Sequence, residues 1–262
     1  MLSIHLEVIP TEGIVDAVRG ALPPSSSLSV TCLPKHGVAA TLKTASRLSE
    51  LGYTVTPHLA AKAITGRKEL SDILSECAAA GISELFVIGG DLPNAAGPYG
   101  TAEELLREIG QLDGDRFTTG VAGYPEGHPR IGDDALLDSL RRKQEYASRI
   151  VTQMCFSAEH IRDYAGMLRR EDITLPIRAG VAGAVPKAKL VSLAGRIGVG
   201  PSLRFLSGKG SLARRLIVGG RYVPETLIEE LGAVPGIDSI QLYTFNALPA
   251  PAMPPGAPAG GE

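Results

Sequence analysis

The chain has 262 residues, of which 44% are hydrophobic and 21% charged, and its formal net charge is −2 at pH 7. This length accommodates one large α/β domain or two smaller ones. With this near-neutral net charge, the chain lacks the excess of positive charge that is typical of proteins that bind nucleic acid or an anionic membrane.

Short β-branched runs alternate with amphipathic stretches along the chain. The predicted strands are Leu2–Ile9, Leu28–Leu33, Thr54–His58, Leu85–Ile88, Phe117–Gly123, Ile150–Phe156, Ile177–Val181 and Ser239–Phe245. The predicted helices are Thr11–Ala21, Val38–Leu51, Lys68–Ala80, Ala102–Ile109, Asp133–Ala147, Glu159–Arg170, Lys187–Arg196 and a longer region from Leu203 to Leu231. Strands that alternate with helices pair in parallel, because a parallel neighbour needs a crossover connection.

Eight such units predict a single-domain (β/α)8 TIM barrel over residues 1–246. A doubly wound sheet would carry a Gly-rich dinucleotide fingerprint after its first strand, and the segment IPTEG lacks that pattern. Residues 247–262 are rich in Pro, Ala and Gly and predict a disordered tail.

The three cysteines are odd in number, and no Cys/His cluster has zinc-ligand spacing, so we expect free thiols and no metal. The N-terminus lacks the pattern of a signal peptide, and no apolar run approaches the roughly 18 residues of a membrane span. These features predict a soluble cytoplasmic protein with neither a nucleic-acid nor a membrane partner. Monomer and small homo-oligomer both remain open.

The segment GVAGYPEGHP, residues 120–129, marks the end of the fifth predicted strand. Tyr124, Glu126 and His128 alternate there, and Pro125 and Pro129 end the strand because proline leaves a gap in the ladder. In a TIM barrel the carboxyl ends of the strands carry the chemistry. Polar residues at these ends are therefore the candidate site.

Glu7 lies in the otherwise apolar run IHLEVI of the first strand. Alternation places it on the face opposite Ile4, Leu6 and Val8. A carboxyl group inside a barrel has a raised pKa, which suits a general acid near neutral pH. A glutamate on a surface or at a sheet edge would fit the same sequence.

Other polar residues follow the remaining strands. Asp91 comes after two glycines that let a ligand approach the backbone, and Gln153 offers an amide that can bind a heterocycle edge. Structural roles remain open for them, as for Thr31, for His58 and for Arg142 and Lys143 on an amphipathic helix.

Taken together, these segments resemble the methylenetetrahydrofolate reductase family through nearly the whole chain. The similar segments are, in chain order, HLEVIP, LSVTC, TPHL, GGDLP, VAGYPEGHP, RRK, VTQMCF and LYTFN. The resemblance implies reduction of 5,10-methylenetetrahydrofolate to 5-methyltetrahydrofolate, the methyl donor for methionine synthesis, with NADH or NADPH as hydride donor.

The resemblance also implies residue roles. Glu7 would be the acid that protonates folate N10, Asp91 would hold the pterin, and Gln153 would bind the pterin edge. Phe205 is a candidate for stacking on the substrate or nicotinamide. The positions that surround FAD in flavin-containing members are Thr31, His58, Tyr124, His128, Arg142 and Lys143.

At several positions the chain lacks residues that contact flavin in the family pattern. Gly89 replaces a flavin-contacting arginine, Ser139 replaces an asparagine that binds the flavin phosphate, and Met154 and Cys155 replace an aromatic pair. The chain therefore resembles the branch of the family that transfers hydride directly from nicotinamide without flavin.

The alternatives are the same reductase with FAD and a folate-binding or regulatory barrel without turnover. A metal-dependent hydrolase built on His5, His58 and His128 has little support, because ligand spacing is lacking.

Overall fold

Eight parallel strands close into a barrel in the computed structural model, which describes residues 2–113, 116–186, 217–218 and 221–248. The strands are, in chain order, β1 (Ser3–Val8), β2 (Ser27–Val30), β3 (Thr54–Ala60), β4 (Glu84–Ile88), β5 (Thr118–Gly123), β6 (Arg149–Thr152), β7 (Ile177–Ala182), the short antiparallel pair β8 (Ile217–Val218) and β9 (Arg221–Tyr222), and β10 (Ile237–Tyr243). Strand β10 pairs with both β7 and β1 and closes the barrel. The predicted fold class is confirmed.

Helices cover the outside of the barrel. They are α1 (Ile14–Ala21), α2 (Gly37–Glu50), α3 (Arg67–Ala79), α4 (Ala102–Asp113), α5 (Asp133–Lys143), α6 (Ala158–Arg170) and α7 (Glu225–Leu231). None of the helices within the described ranges is long and apolar enough to cross a membrane.

Alternation along β1 separates apolar side chains on the outer face from polar side chains in the barrel interior. Leu6 and Val8 of β1 are buried in the hydrophobic core, whereas Glu7 approaches His58 of β3, a strand that is not its neighbour. A contact between non-adjacent strands crosses the inside of a closed barrel. Burial of each large aliphatic side chain between strands and helices contributes roughly 1.5–3 kcal/mol to stability. The interior is free to hold polar groups.

Charged side chains cluster at the amino ends of the strands, from the buried Arg178 to the exposed Asp238. Arg178 of β7 is 1% exposed and reaches across the barrel to Glu84 of β4, with 2.9 Å between Nη2 and Oε1. Arg149 lies 3.5 Å from the same carboxylate and 2.9 Å from Asp238. We call these four residues the interior ion cluster. It lies at the end of the barrel opposite the strand ends that carry chemistry, where residues serve stability.

Two predicted strands end earlier than expected. The strand predicted over Leu28–Leu33 stops at Val30, where the Thr31 carbonyl instead accepts a hydrogen bond from the Thr41 hydroxyl. The strand predicted over Ile150–Phe156 stops at Thr152. The Gln153 side chain then accepts the Met154 N–H, so Gln153 lies just beyond β6. Local side-chain hydrogen bonds compete with the ladder at both points.

Helix predictions need larger corrections. The region Leu203–Leu231 is not one helix, because its described part holds the β8–β9 pair and α7, whose helix follows Pro224. Helix α1 begins at Ile14, after Gly13 adopts φ 76°, and α5 ends at Lys143. The helix predicted over Lys187–Arg196 and nearly all of the predicted tail lie outside the described residues.

Candidate active site

Glu7 lies in the barrel interior near the carboxyl end of β1, and its side chain is 13% exposed. Gln241 of β10 donates a hydrogen bond from Nε2 to Glu7 Oε2 at 3.2 Å, and to Ser29 Oγ of β2 at 2.5 Å. The register of the barrel produces this contact, because β1 lies between β10 and β2. The carboxyl group is therefore held by Gln241, which Ser29 of the other neighbouring strand in turn holds in place.

Burial raises the pKa of Glu7 to about 8, against the smaller lowering effect of the Gln241 hydrogen bond. His58 of β3 lies 3.8 Å away, between Nε2 and Oε2, and its ring packs edge-on against Phe86. Burial, with a further contribution from Arg178, lowers the pKa of His58 to about 3. At neutral pH the proton therefore resides on Glu7 and not on His58, and Glu7 is a neutral carboxylic acid.

Asp91 lies at the mouth of the barrel after β4. Its carboxylate is 72% exposed and lies 3.6 Å from the Arg130 guanidinium. It lines a cavity of about 230 Å³ together with Cys32, Ala60 and Lys62. This cavity lies at the carboxyl ends of β2, β3 and β4, so a ligand in it would meet Asp91 at the rim.

Gly90 fixes the backbone beside this cavity. It has φ +87°, a conformation that non-glycine residues rarely adopt, and a Cβ placed there would come within 3.0 Å of Ala60 Cβ. At Gly89, by contrast, a Cβ would meet no atom of the described residues within 4 Å. Among the described residues, the position that carries arginine in the family pattern therefore borders open space.

Tyr124 and His128 flank the turn after β5 and contact each other. Their rings lie edge to face with centroids 5.0 Å apart, and the Tyr124 N–H donates to the Tyr164 hydroxyl. Burial, reinforced by the negative charge of Asp91, raises the pKa of Tyr124. Gln153, after the adjacent β6, donates its backbone N–H to Gly123. These residues occupy neighbouring strand ends, as predicted.

The remaining predicted site residues fall into two groups. Thr31 lies just after β2. Its buried Oγ1 has no hydrogen-bond partner within the described chain, and neither has His58 Nε2. Arg142 and Lys143 instead lie on α5, where the Arg142 guanidinium bonds to Glu103 of α4 at 2.7 Å. Burial lowers the pKa of Lys143 to about 8. Phe205 lies outside the described residues.

Three residues of the final segment shape the site and were absent from the sequence prediction. Gln241 holds Glu7, and the Tyr243 hydroxyl donates to the Thr152 carbonyl at 2.8 Å. Asn246 pairs with both backbone groups of Ile9, at 2.8 and 3.0 Å, and so fixes the end of β1. In the segment IDSIQLY, polar residues alternate with apolar ones. The same alternation indicated Glu7 in β1, and it could have indicated Gln241.

Comparison with known proteins identifies the family. A family model described as methylenetetrahydrofolate reductase matches residues 25–193, which is more than half of the chain. The chain belongs to the methylenetetrahydrofolate reductase family. The match covers β2 to β7 and the strand ends that carry Asp91, Tyr124 and Gln153.

Individual proteins named as methylenetetrahydrofolate reductases also match this chain in sequence. "Methylenetetrahydrofolate reductase 2" of Saccharomyces cerevisiae is 29% identical over 123 residues, covering 43% of this chain and 20% of the yeast protein. "Probable methylenetetrahydrofolate reductase (NADPH)" of Caenorhabditis elegans is 32% identical over 114 residues, covering 41% of this chain and 17% of the nematode protein. The match thus spans about a fifth of the length of these relatives.

Solved structures outside the methylenetetrahydrofolate reductase family share the barrel. A crystal structure of oxaloacetate acetylhydrolase aligns with a TM-score of 0.55 and 12% identity, covering 94% of this chain and 76% of that one. At this identity the likeness concerns the fold alone.

Proposed function

We propose that this protein reduces 5,10-methylenetetrahydrofolate to 5-methyltetrahydrofolate with a hydride taken directly from NADH or NADPH. The observation that carries the proposal is Glu7, a carboxyl group buried inside the barrel of a chain from this family, where burial raises its pKa to about 8. A general acid works best when its pKa is close to the operating pH. The nicotinamide donor is supported by the nematode relative, which is named for NADPH.

The proposed reaction has two steps. Glu7 gives its proton to folate N10, the bond between the methylene carbon and N10 breaks, and an N5 iminium forms. Hydride from C4 of the nicotinamide then adds to the iminium carbon, which becomes the methyl group, and NAD(P)+ leaves. Solvent returns a proton to the Glu7 carboxylate. The acid, the pterin and the hydride donor must be held in near-attack geometry for these steps.

Asp91 and Gln153 are proposed to hold the pterin. The Gln153 Oε1 already accepts the Met154 N–H at 2.9 Å, so its Nε2 is the group that would donate to the ligand. Thr31 and His58 each present a buried polar atom that a ligand would satisfy. Together with Tyr124 and His128, they are proposed to border the nicotinamide.

The residues at the mouth do not fit the flavin of the family. Position 89 has no side chain, Ser139 replaces the phosphate-binding asparagine, and the Arg142 guanidinium is bonded to Glu103 on the helical layer. Open space at Gly89 supports binding of the nicotinamide itself beside the folate. The proposal therefore contains no flavin step.

Oxidation of NADH and of NADPH, followed in the presence of 5,10-methylenetetrahydrofolate, tests the proposal. We expect turnover that depends on the folate, with 5-methyltetrahydrofolate as product. Folate binding without turnover would indicate a regulatory barrel and would overturn the enzymatic proposal.

The pH profile of this activity gives a further prediction. Since only the protonated form of Glu7 donates, kcat/KM should be level below about pH 7 and fall about tenfold per pH unit above the Glu7 pKa of about 8. Replacing Gln241 with Leu removes a hydrogen bond that favours the carboxylate, so the break should move to higher pH. A profile that rises through pH 8 would contradict the role of Glu7 as an acid.

A further inference from the structure

Three metal-ligating side chains converge near the ends of β5 and β6 and the start of α6. Glu126 lies in the turn after β5, Cys155 follows β6, and His160 lies in the first turn of α6. The Cys155 thiol donates to Glu126 Oε1 at 3.1 Å, and His160 Nδ1 lies 3.7 Å from the same oxygen. All three donor atoms lie within 4.8 Å of one another. Such a cluster offers one sulfur, one nitrogen and one oxygen ligand.

The local backbone holds each donor in place. The Ser157 hydroxyl caps α6 by accepting the His160 N–H at 3.3 Å, and this fixes the turn that carries the imidazole. The Cys155 N–H donates to the Gly180 carbonyl of β7 at 3.0 Å, and the Gly127 N–H closes the turn around Glu126 on the Tyr124 carbonyl. Ligands on fixed backbone segments lose little entropy when they bind an ion.

The spacing of the donors matches tetrahedral zinc. With Zn–S near 2.3 Å and Zn–N and Zn–O near 2.0–2.2 Å, ligand atoms around a tetrahedral ion lie about 3.3–3.6 Å apart. The distances from Glu126 Oε1 to the other two donors, 3.1 and 3.7 Å, lie on either side of this range, and all three atoms lie within 4.8 Å of one another. Small side-chain rotations would therefore bring the three atoms into coordination.

Burial gives an independent indication of a ligand. The Glu126 side chain is 4% exposed, and Cys155 is buried. His160 Nδ1 is buried and has no hydrogen-bond partner within the described part of the chain, although it faces the carboxylate. A buried imidazole nitrogen is stabilised either by a hydrogen bond or by coordination to a cation.

We propose that Glu126, Cys155 and His160 form a binding site for a Zn2+-like divalent cation. Three protein ligands leave one coordination position for water or another ligand. The ion would tie the turn after β5 to the start of α6, and so stabilise the segment between Tyr124 and His128. This proposal does not depend on the reductase proposal. It revises the sequence expectation of no metal, which considered only ligand spacing along the chain.

Metal titration of the chelator-treated protein tests the site. We expect one Zn2+ per chain, a higher melting temperature when Zn2+ is bound, and a thiolate-to-metal absorption band when Co2+ is used instead. Cys155→Ala should abolish the band, and His160→Gln should weaken Zn2+ binding by at least about tenfold. Cys77→Ala is the matched control, because Cys77 is a buried free thiol on α3. This variant should keep both the Co2+ absorption band and the Zn2+ affinity of the wild type.

Absence of stoichiometric Zn2+ binding by the wild-type protein would overturn the proposal. Retention of the Co2+ band in Cys155→Ala, or its loss in Cys77→Ala, would do so as well. Should Cys155→Ala fold poorly, the partly exposed His160→Gln variant still decides the question, because unchanged Zn2+ affinity in that variant excludes His160 as a ligand.

Discussion

Glu7→Gln is expected to lower kcat by about 10²- to 10⁴-fold, the usual contribution of general acid catalysis. Glutamine has nearly the same shape and, like the protonated acid, is neutral, so folate affinity should change little. The loss would then lie in the transition state and not in ground-state binding. Steady-state kinetics and a direct folate-binding measurement separate the two.

The same variant is expected to be more stable than the wild type at alkaline pH. In the folded protein the pKa of Glu7 is raised to about 8, so the unfolded chain releases this proton at lower pH than the folded one does. The free energy of unfolding of the wild type therefore falls between about pH 4.5 and 8, by an amount on the order of a few kcal/mol, and Gln removes this loss.

An inactive but more stable variant cannot be explained by misfolding. Glu50→Gln on the exposed end of α2 is the matched control and should leave both activity and its pH dependence unchanged. Full activity of Glu7→Gln would remove Glu7 from the mechanism.

Arg178→Met should destabilise the protein by about 3–5 kcal/mol, because it leaves the Glu84 carboxylate in the barrel without its main partner. Methionine fills much of the volume of the arginine side chain, so the loss reflects charge more than packing. Chemical denaturation at pH 7 measures the change in the free energy of unfolding.

Two further variants isolate the cause of this loss. Arg178→Met combined with Glu84→Gln removes the unpaired charge, so it should recover a large part of the stability. Arg141→Met is the surface control. Arg141 also bonds two carboxylates but is 43% exposed, and its loss should cost only about 0–1 kcal/mol. Equal effects of Arg178→Met and Arg141→Met would contradict the importance of the interior ion cluster.

The alternation of strands and helices was sufficient to predict the barrel. Because strand ends in a barrel share one face, the positions of Glu7, Asp91 and Tyr124 at that face also followed from the sequence. Alternation put Glu7 on the face opposite Leu6 and Val8, but it left open whether that face was the barrel interior or a surface. These inferences rest on periodicity, which the sequence displays directly.

Other features depend on contacts between distant segments, which periodicity does not specify. Gln241 reaches Glu7 over a separation of 234 residues, and Arg178 reaches Glu84 over 94. The early end of β6 reflects a single side-chain hydrogen bond of Gln153, and such local competition is not visible in a pattern of hydrophobic residues. Glu126 and Cys155 are 29 residues apart, so their cluster with His160 has no linear motif.

Hydride transfer with deuterium-labelled nicotinamide tests the central claim most directly. Reduction of 5,10-methylenetetrahydrofolate with NADH or NADPH deuterated at C4, on the transferred face, should place one deuterium in the methyl group of each 5-methyltetrahydrofolate. Mass analysis of the product measures this content. Transfer through a flavin would allow exchange with water, so a methyl group that has lost the deuterium would contradict direct transfer.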